Sequence, residues 1–540
     1  MKNILKILLL TLLFISCKKE NKVIAATQKT QNYIDIFLDE STIQSFFKTN
    51  PENKNIVNEV NLFYKNRNFQ YAWFNATGMK QAVPNFQNQL QNYSNDFDDK
   101  TFNNAQLDTL ITMIKTNPNE KAINKNQLEK LELILTTTFF KYSEKAFSGI
   151  NKNARKLDWF IPRAKKNFQV MLDSLVLKDE NDKTYEPVNL YYSKLKEKLR
   201  LYRDIQKNGG FPIIKMKEEF LTKTESDSVL IQVKQRLVLS KDLSKNDNNV
   251  LYTLELATAI SNFQQRVGLP ENGQLNFKTI AEMNKPVDFR IKQMLINLER
   301  LRWVPVEIEN DYLLVNIPEY KLHVFENKKL LWETNVVVGK AAKQTSIFKG
   351  SISRIILNPY WNVPNSIINH EILPKLKRNS NYLSRNNMQV VAGGKVINPK
   401  SINWRKYSKN IPYEIRQKPG NDNSLGKMKF LFPNSFSIYL HDTPSKELFD
   451  RNKRDFSHGC IRVENPKKLA MYLLRKDKNW NEQKVDKILE TNTETGIEVN
   501  PTIPVYITYF TAWVDTNGNL NFRDDIYNLD EELAKEIFAE

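Results

Sequence analysis

The spacing of apolar residues divides this chain into three textures. Over 33–227 they recur every third or fourth position among charged residues, most clearly from Gln127 to Phe140 and from Leu190 to Gln206. That is the period of amphipathic helices, and it predicts a mainly helical scaffold. Over 228–284 a second helical pattern follows, in which Ala257, Ile260, Phe263 and Val267 form a stripe that stops at Gly268. Glycine suits a helix C-cap, and the turn Leu269 to Gly273 then leads into a short second helix through Thr279 and Met283. From Tyr312 the texture becomes short β-rich runs: Tyr312 to Ile317, Lys321 to Phe325, Leu331 to Val338, Ser353 to Leu357 and Ser437 to Leu440. Gly339, Pro359 and Pro364 punctuate them, which predicts a compact β sandwich or barrel. Between about 372 and 431 a polar, basic insertion rich in Asn, Lys and Arg interrupts the β pattern, and its length suggests a lid. Val505 to Phe510 and Ala512 to Asp515 lead into Thr516, Asn517 and Gly518, an Asn-Gly hairpin signal that opens a C-terminal hairpin and tail over 511–540. The fold class expected is therefore α+β and multidomain: a helical N-terminal scaffold, a small helical module, and a β-rich domain over 311–510.

Composition adds compartment and limits partners. With 540 residues the chain is long enough for several domains, and 41% hydrophobic with 26% charged residues is an ordinary globular balance. The formal charge of +19 comes from basic residues scattered along the chain, without an accompanying nucleic-acid motif, so nucleic acid is not expected as a partner. Lys2 and Lys6 bracket the start of an apolar stretch, Ile4 to Ile15, too short to span a bilayer and suited to a secretory signal. It ends in Phe14, Ile15, Ser16 and Cys17, a run that resembles the lipobox of bacterial lipoproteins. The resemblance implies cleavage after residue 16, a lipid on Cys17, membrane attachment through that lipid, and a polar linker over 18–32.

The chain has two cysteines, Cys17 and Cys460. If Cys17 carries lipid, Cys460 has no disulfide partner in its own chain. An exported protein that keeps a free thiol usually employs it as a nucleophile or metal ligand, although buried inert cysteines are common. Cys460 lies in Ser457, His458, Gly459, Cys460, Ile461, Arg462, while His441 ends an apolar strand as His441, Asp442, Thr443, Pro444. Two of the four histidines thus precede Cys460 by 19 and 2 residues. A thiol, an imidazole to take its proton, and nearby N–H groups to hold an oxyanion are the parts of thioester-forming catalysis.

These residues bring a family into view. SHGCIR preceded by the HDTP strand end resembles the L,D-transpeptidase catalytic domain of the YkuD type. The runs VNIPEYKLHVFEN, VVVGK, LNPYWNVP, RQKPG and KFLFPN are similar to its YcbB-like subfamily. Within AISNFQQRVGLPENGQLNFKTIAEMN, Phe263, Gln264, Gly268 and Gly273 resemble the peptidoglycan-binding type 1 helical module. The resemblance implies that Cys460 is the acylated nucleophile and His441 its base, with His458 packed beside the thiolate. Gly459 and Cys460 N–H groups and Tyr439 are candidates for the oxyanion, and Asp442 is not assigned as a triad acid. Arg462, Trp361 and Ser457 are the candidate substrate-binding residues, with an ion pair to Glu464 or an acidic neighbour the equal alternative for Arg462 and a core position the alternative for Trp361.

The same resemblance implies a reaction on peptidoglycan stem peptides. The thiol attacks the bond between a third-position diamino acid and terminal D-alanine, and the amine of a second stem resolves the thioester into a 3-3 cross-link. Water as acceptor would make it an L,D-carboxypeptidase, and a non-catalytic wall-binding lipoprotein is the alternative from another class. Carbapenem acylation of Cys460 and a periplasmic, outer-membrane location are also implied. No cofactor or metal is expected, since His441, His458 and Cys460 lack a fourth ligand at zinc spacing, and a papain-like order would place cysteine before histidine.

Overall fold

The computed structural model describes residues 35–116, 124–150, 154–163, 166–177, 186–217, 219–221, 226–379 and 381–538. Cys17, the signal-like segment and the whole linker over 18–32 lie outside the described residues. Among the described residues no helix is long and apolar enough to cross a membrane. The chain divides into two compact units, one of residues 1–90, 102–142 and 168–184, the other of 91–101, 143–167 and 185–540. The helical scaffold read over 33–227 therefore does not form a single unit, because its 190–206 helix packs with later elements.

In the first unit Phe63 and Tyr64 of the helix Val57–Asn66 and Phe139 of the helix Lys125–Ser143 form an aromatic core with Trp73 and Phe86. Glu132 is fully buried within it. Its carboxylate accepts the Tyr64 hydroxyl at 2.8 Å and the Ala72 and Trp73 N–H groups at 2.5 and 3.1 Å. Burial lifts this carboxyl to about 7, and the three donors oppose the shift.

The second unit begins with α1 (Leu190–Lys207), whose N-cap Asn189 accepts the Tyr192 N–H. Next comes α2 (Leu254–Val267), capped by Thr253 at its start and by left-handed Gly268 at its end. Asn276 caps α3 (Phe277–Met283). The expected pattern residues now have physical tasks. Phe263 is core, while buried Gln264 donates to the Gln274 carbonyl at 2.8 Å and accepts the Gly273 N–H at 2.9 Å. Gly273 is left-handed, and a Cβ there would lie 2.9 Å from the Ala257 carbonyl. Then α4 (Val287–Trp303) runs into the β domain, and its Asn297 and Gln293 bind the backbone and hydroxyl of Thr511.

The β domain contains nine strands: β1 (Tyr312–Asn316), β2 (Lys321–Glu326), β3 (Lys329–Gly339), β4 (Lys349–Leu357), β5 (Met428–Leu431), β6 (Leu440–His441), β7 (Asp455–Ser457), β8 (Ile461–Val463) and β9 (Thr495–Thr508). Their order is β7-β3-β8-β6-β5-β4-β9-β1-β2, and a further β2 to β3 pairing closes the ladder on itself, as expected of a barrel. Leu313, Val315, Leu322, Val324, Val336, Ile355, Val505 and Ile507 fill the interior, each at most 0% exposed. The hairpin signal at Asn517 and Gly518 is realised by strands Ala512–Val514 and Leu520–Phe522.

The insertion differs from expectation. It begins at 358, before residue 372, and is a folded subdomain with a four-stranded antiparallel sheet. Its own core holds Val363, Ile368, Ile372, Leu373, Leu376, Leu383, Val390, Trp404 and Ile415. These apolar positions are spaced widely among Lys and Asn, so average polarity concealed a small core.

Candidate active site

The Cys460 turn links β7 to β8 and is fixed from within. Gly459 adopts φ +115, a conformation that penalises any side chain. Ser457 Oγ donates to the Cys460 carbonyl at 2.5 Å and accepts the Gly459 N–H at 3.1 Å. Thr345 Oγ donates to the Gly459 carbonyl at 2.8 Å and accepts the Gly339 N–H at 2.9 Å. Tyr527, from the C-terminal tail, donates to the Gly339 carbonyl at 2.5 Å. The tail is therefore part of the site's support, and two buried residues absent from the sequence reading, Thr345 and Tyr527, hold its turn.

Strand pairing gathers the chemistry. β6 and β8 are parallel neighbours with Leu440 opposite Ile461 and His441 opposite Arg462, and the Ile461 N–H donates to the Tyr439 carbonyl at 3.1 Å. Residues two apart share a face, so Tyr439, His441, Cys460 and Arg462 lie on one side of adjacent strands. On the other flank, β5 places Lys429 opposite His441. The Lys429 ammonium stands 4.0 Å from the centre of the Tyr439 ring. Lys429 was missed in the sequence; its signal is the alternation in Lys429 to Asn434, where buried Met428 and Phe430 leave it on the other face.

The electrostatics of this face are unusual for a thiol and imidazole. Burial pushes the Cys460 thiol up, opposed by hydrogen bonds from Tyr439 and by the charges of Lys429 and Arg462. The thiol donates to the Ser437 carbonyl at 3.6 Å. His441 is buried, and burial together with the Arg462 and Lys429 charges depresses it to about 3. Its Nδ1–H donates to the Asp442 carbonyl at 2.5 Å, leaving Nε2 with the lone pair. The Asp442 carboxylate is engaged elsewhere, by Lys446 at 2.5 Å and the Lys427 N–H at 2.8 Å. Both groups are thus neutral at rest, a thiol and a free base on the same face of adjacent strands.

The remaining candidates are distributed as follows. Tyr439 is pushed up by burial and by the adjoining Cys460, so it remains a hydroxyl donor. Arg462 forms no ion pair with Glu464: burial and the fields of Glu447 and Cys460 set its environment, and its buried Nε has no partner. The Gly459 N–H is consumed by Ser457 and so is a poor oxyanion donor. Ser457 itself is buried and spent on the turn, which makes it a positioning residue and not a substrate contact. His458 is exposed, and its Nε2 lies 2.9 Å from Glu371 of the insertion, so tuning of the sulfur falls to Lys429 and Arg462. Trp361 is half-buried against the core of the insertion. Among the described residues no group of three or more His, Cys, Asp or Glu side chains is arranged to hold a metal ion.

The L,D-transpeptidase catalytic domain model, YkuD, matches residues 310–488, and a Scaffold domain model matches 58–199. A Haemophilus influenzae protein whose name makes it a candidate L,D-transpeptidase is 37% identical over 243 residues, 45% of this chain. The chain spans about half the length of that relative, 49%. Among solved structures, the L,D-transpeptidase of Stackebrandtia nassauensis aligns at 12% identity with TM-score 0.22, covering 54% of this chain and 97% of its own. L,D-transpeptidase 1 of Mycobacterium tuberculosis aligns at 11% identity with TM-score 0.14, covering 37% and 61%. The likeness to the YkuD L,D-transpeptidase catalytic domain is therefore carried by residues 310–488.

Proposed function

We propose that the chain is a cysteine L,D-transpeptidase that forms 3-3 cross-links between peptidoglycan stem peptides through a thioester on Cys460. The observation that carries this reading is the neutral His441, its Nδ1–H held by a backbone carbonyl, on the same strand face as the thiol of Cys460. The Cys460 sulfur adds to the carbonyl carbon of the third residue of a tetrapeptide stem while His441 takes the thiol proton. The Cys460 N–H and the Tyr439 hydroxyl receive the oxyanion, and Lys429 and Arg462 favour the negative charge on sulfur before attack. Collapse breaks the amide bond, and His441 returns the proton to the departing D-alanine amine. The side-chain amine of a second stem then attacks the thioester, forming the new amide and restoring the thiol. The unpartnered Arg462 Nε suits a stem carboxylate.

The second reading, an L,D-carboxypeptidase, uses water as acceptor, and the insertion sets the balance by admitting or excluding it. In this proposal the helical module over 228–284 engages the wall, the chain is of the YcbB-like type, and a lipid on Cys17 anchors it to the periplasmic face of the outer membrane. The test is intact-protein mass spectrometry of the full chain in detergent, wild type and Cys460→Ala, with a carbapenem and separately with a disaccharide-tetrapeptide. An adduct on wild type alone with new muropeptide dimers supports the transpeptidase. Tripeptide without dimers moves the assignment to the carboxypeptidase, and a folded, reduced protein that gives neither adduct nor product refutes both.

A further inference from the structure

A cavity of about 220 Å³ opens on the outer face of the barrel and shares no residue with the Cys460 face. Alternation builds it. Leu322 and Val324 point into the barrel core, so Lys321 and His323 point out, and β1 and β9 do the same with Leu314 and Tyr506. Trp513 of the C-terminal hairpin forms part of the wall, and Gln265 of α2 lies at its edge. The cavity therefore combines the barrel, the helical module and the hairpin, all within the second unit.

Its floor is charged, and its walls mix apolar side chains with Asp515 and Arg523 of the hairpin. The His323 ring bridges two carboxylates, Glu319 at 2.9 Å and Glu333 at 3.3 Å, and Lys321 also pairs with Glu333. The side chains of His323 and Glu319 are only 12% and 8% exposed. The two acids and two bases of this floor cancel, as do Asp515 and Arg523 on the hairpin side. A ligand of one charge sign gains little from a balanced site. A purely apolar ligand would strip water from the cluster without replacing its hydrogen bonds. What satisfies both parts is a neutral ring with an apolar face for Trp513 and several hydroxyl or amide groups for the floor and the hairpin.

We propose that this cavity is a glycan subsite that takes one N-acetylated amino-sugar ring of the peptidoglycan strand, holding the strand while its stem peptide reaches Cys460. The inference rests on the peptidoglycan reading of the active site. A peptide-free N-acetylglucosamine tetramer, titrated into the full chain in detergent and followed by saturation-transfer NMR of the sugar, tests it. The wild type is expected to bind saturably, and Trp513→Ala to weaken binding at least tenfold. Gln265→Ala, an exposed helix position, is expected to weaken it several-fold should Trp513→Ala fail to fold. Carbapenem acylation of Cys460 is read in parallel and is expected to be equal in wild type and both variants. Absence of saturable binding by a protein that acylates normally, or equal binding by the folded variants, overturns the subsite. Absence of acylation together with retained sugar binding removes the enzymatic reading and leaves the subsite standing.

Discussion

His441 and His323 are both buried histidines in one β domain, and their surroundings drive them in opposite directions. Burial alone would neutralise each. His441 meets a backbone carbonyl and two cations, and falls to about 3. His323 meets Glu319 and Glu333, which outweigh its desolvation and raise it to about 9. The first is a base because no carboxylate accompanies it; the second is a fixed cation because two do. Burial sets the size of what is at stake, and the partner sets its sign.

The largest effects are expected at the first site. Cys460→Ala abolishes the carbapenem adduct, and His441→Gln slows acylation by about 10²–10⁴-fold, measured by time-resolved intact mass. Because His441 stays neutral to about pH 3, wild-type acylation rises with pH on one basic limb set by the thiol. An additional ionisation near pH 6.5 in that profile would show that the imidazole titrates in its ordinary range.

A smaller effect is expected from Lys429. Removing its charge by Lys429→Met slows acylation by about tenfold and moves the alkylation profile of Cys460 to higher pH, whereas Lys429→Arg retains most of both. An unchanged alkylation profile in Lys429→Met would assign the residue to packing alone.

The two histidines also give opposite pH signs to stability. The folded value of His323 lies above its ordinary 6.5, so its contribution is complete below about 6.5 and is lost as pH rises through about 9. His441 is depressed, so only the unfolded chain takes up its proton between about 6.5 and 3, and stability falls as pH drops through that window. His323→Gln should cost about 2 kcal/mol at neutral pH by leaving Glu319 without its paired cation while Glu333 keeps Lys321, and should flatten the alkaline fall in melting temperature. A variant that melts like wild type at both pH 7 and pH 9.5 would remove His323 from this role.

The smallest effect is expected where the insertion meets the turn. His458 and Glu371 are 40% and 46% exposed in their side chains, so solvent screens the pair. Glu371→Gln should change acylation by less than about threefold. A larger change would mean that this contact governs entry to the cleft.

Much of this was legible beforehand, for reasons visible in individual residues. The helix ending at Gly268, the Asn-Gly hairpin and the strands from Tyr312 onward are local patterns, because backbone conformation and face alternation are dictated by neighbours in sequence. Cys460 and His441 could be paired through their chemistry. Lys429 shows only its face, through the alternation with buried Met428 and Phe430, and Thr345, Tyr527 and Glu371 show not even that, since nothing within a few residues of them announces a task. The insertion has the average polarity of a lid, because its core residues are few among many Asn, Lys and Arg.

The sequence by itself determined the elements, the thiol and the imidazole, since these depend on residue type and short-range period. Only the tertiary structure decided that His441 is neutral and His323 charged, that Ser457 faces inward, and that the C-terminal Tyr527 supports the Cys460 turn. Those outcomes depend on desolvation and on which charges lie within a few ångströms, and closing the sheet brings together residues that the chain keeps far apart.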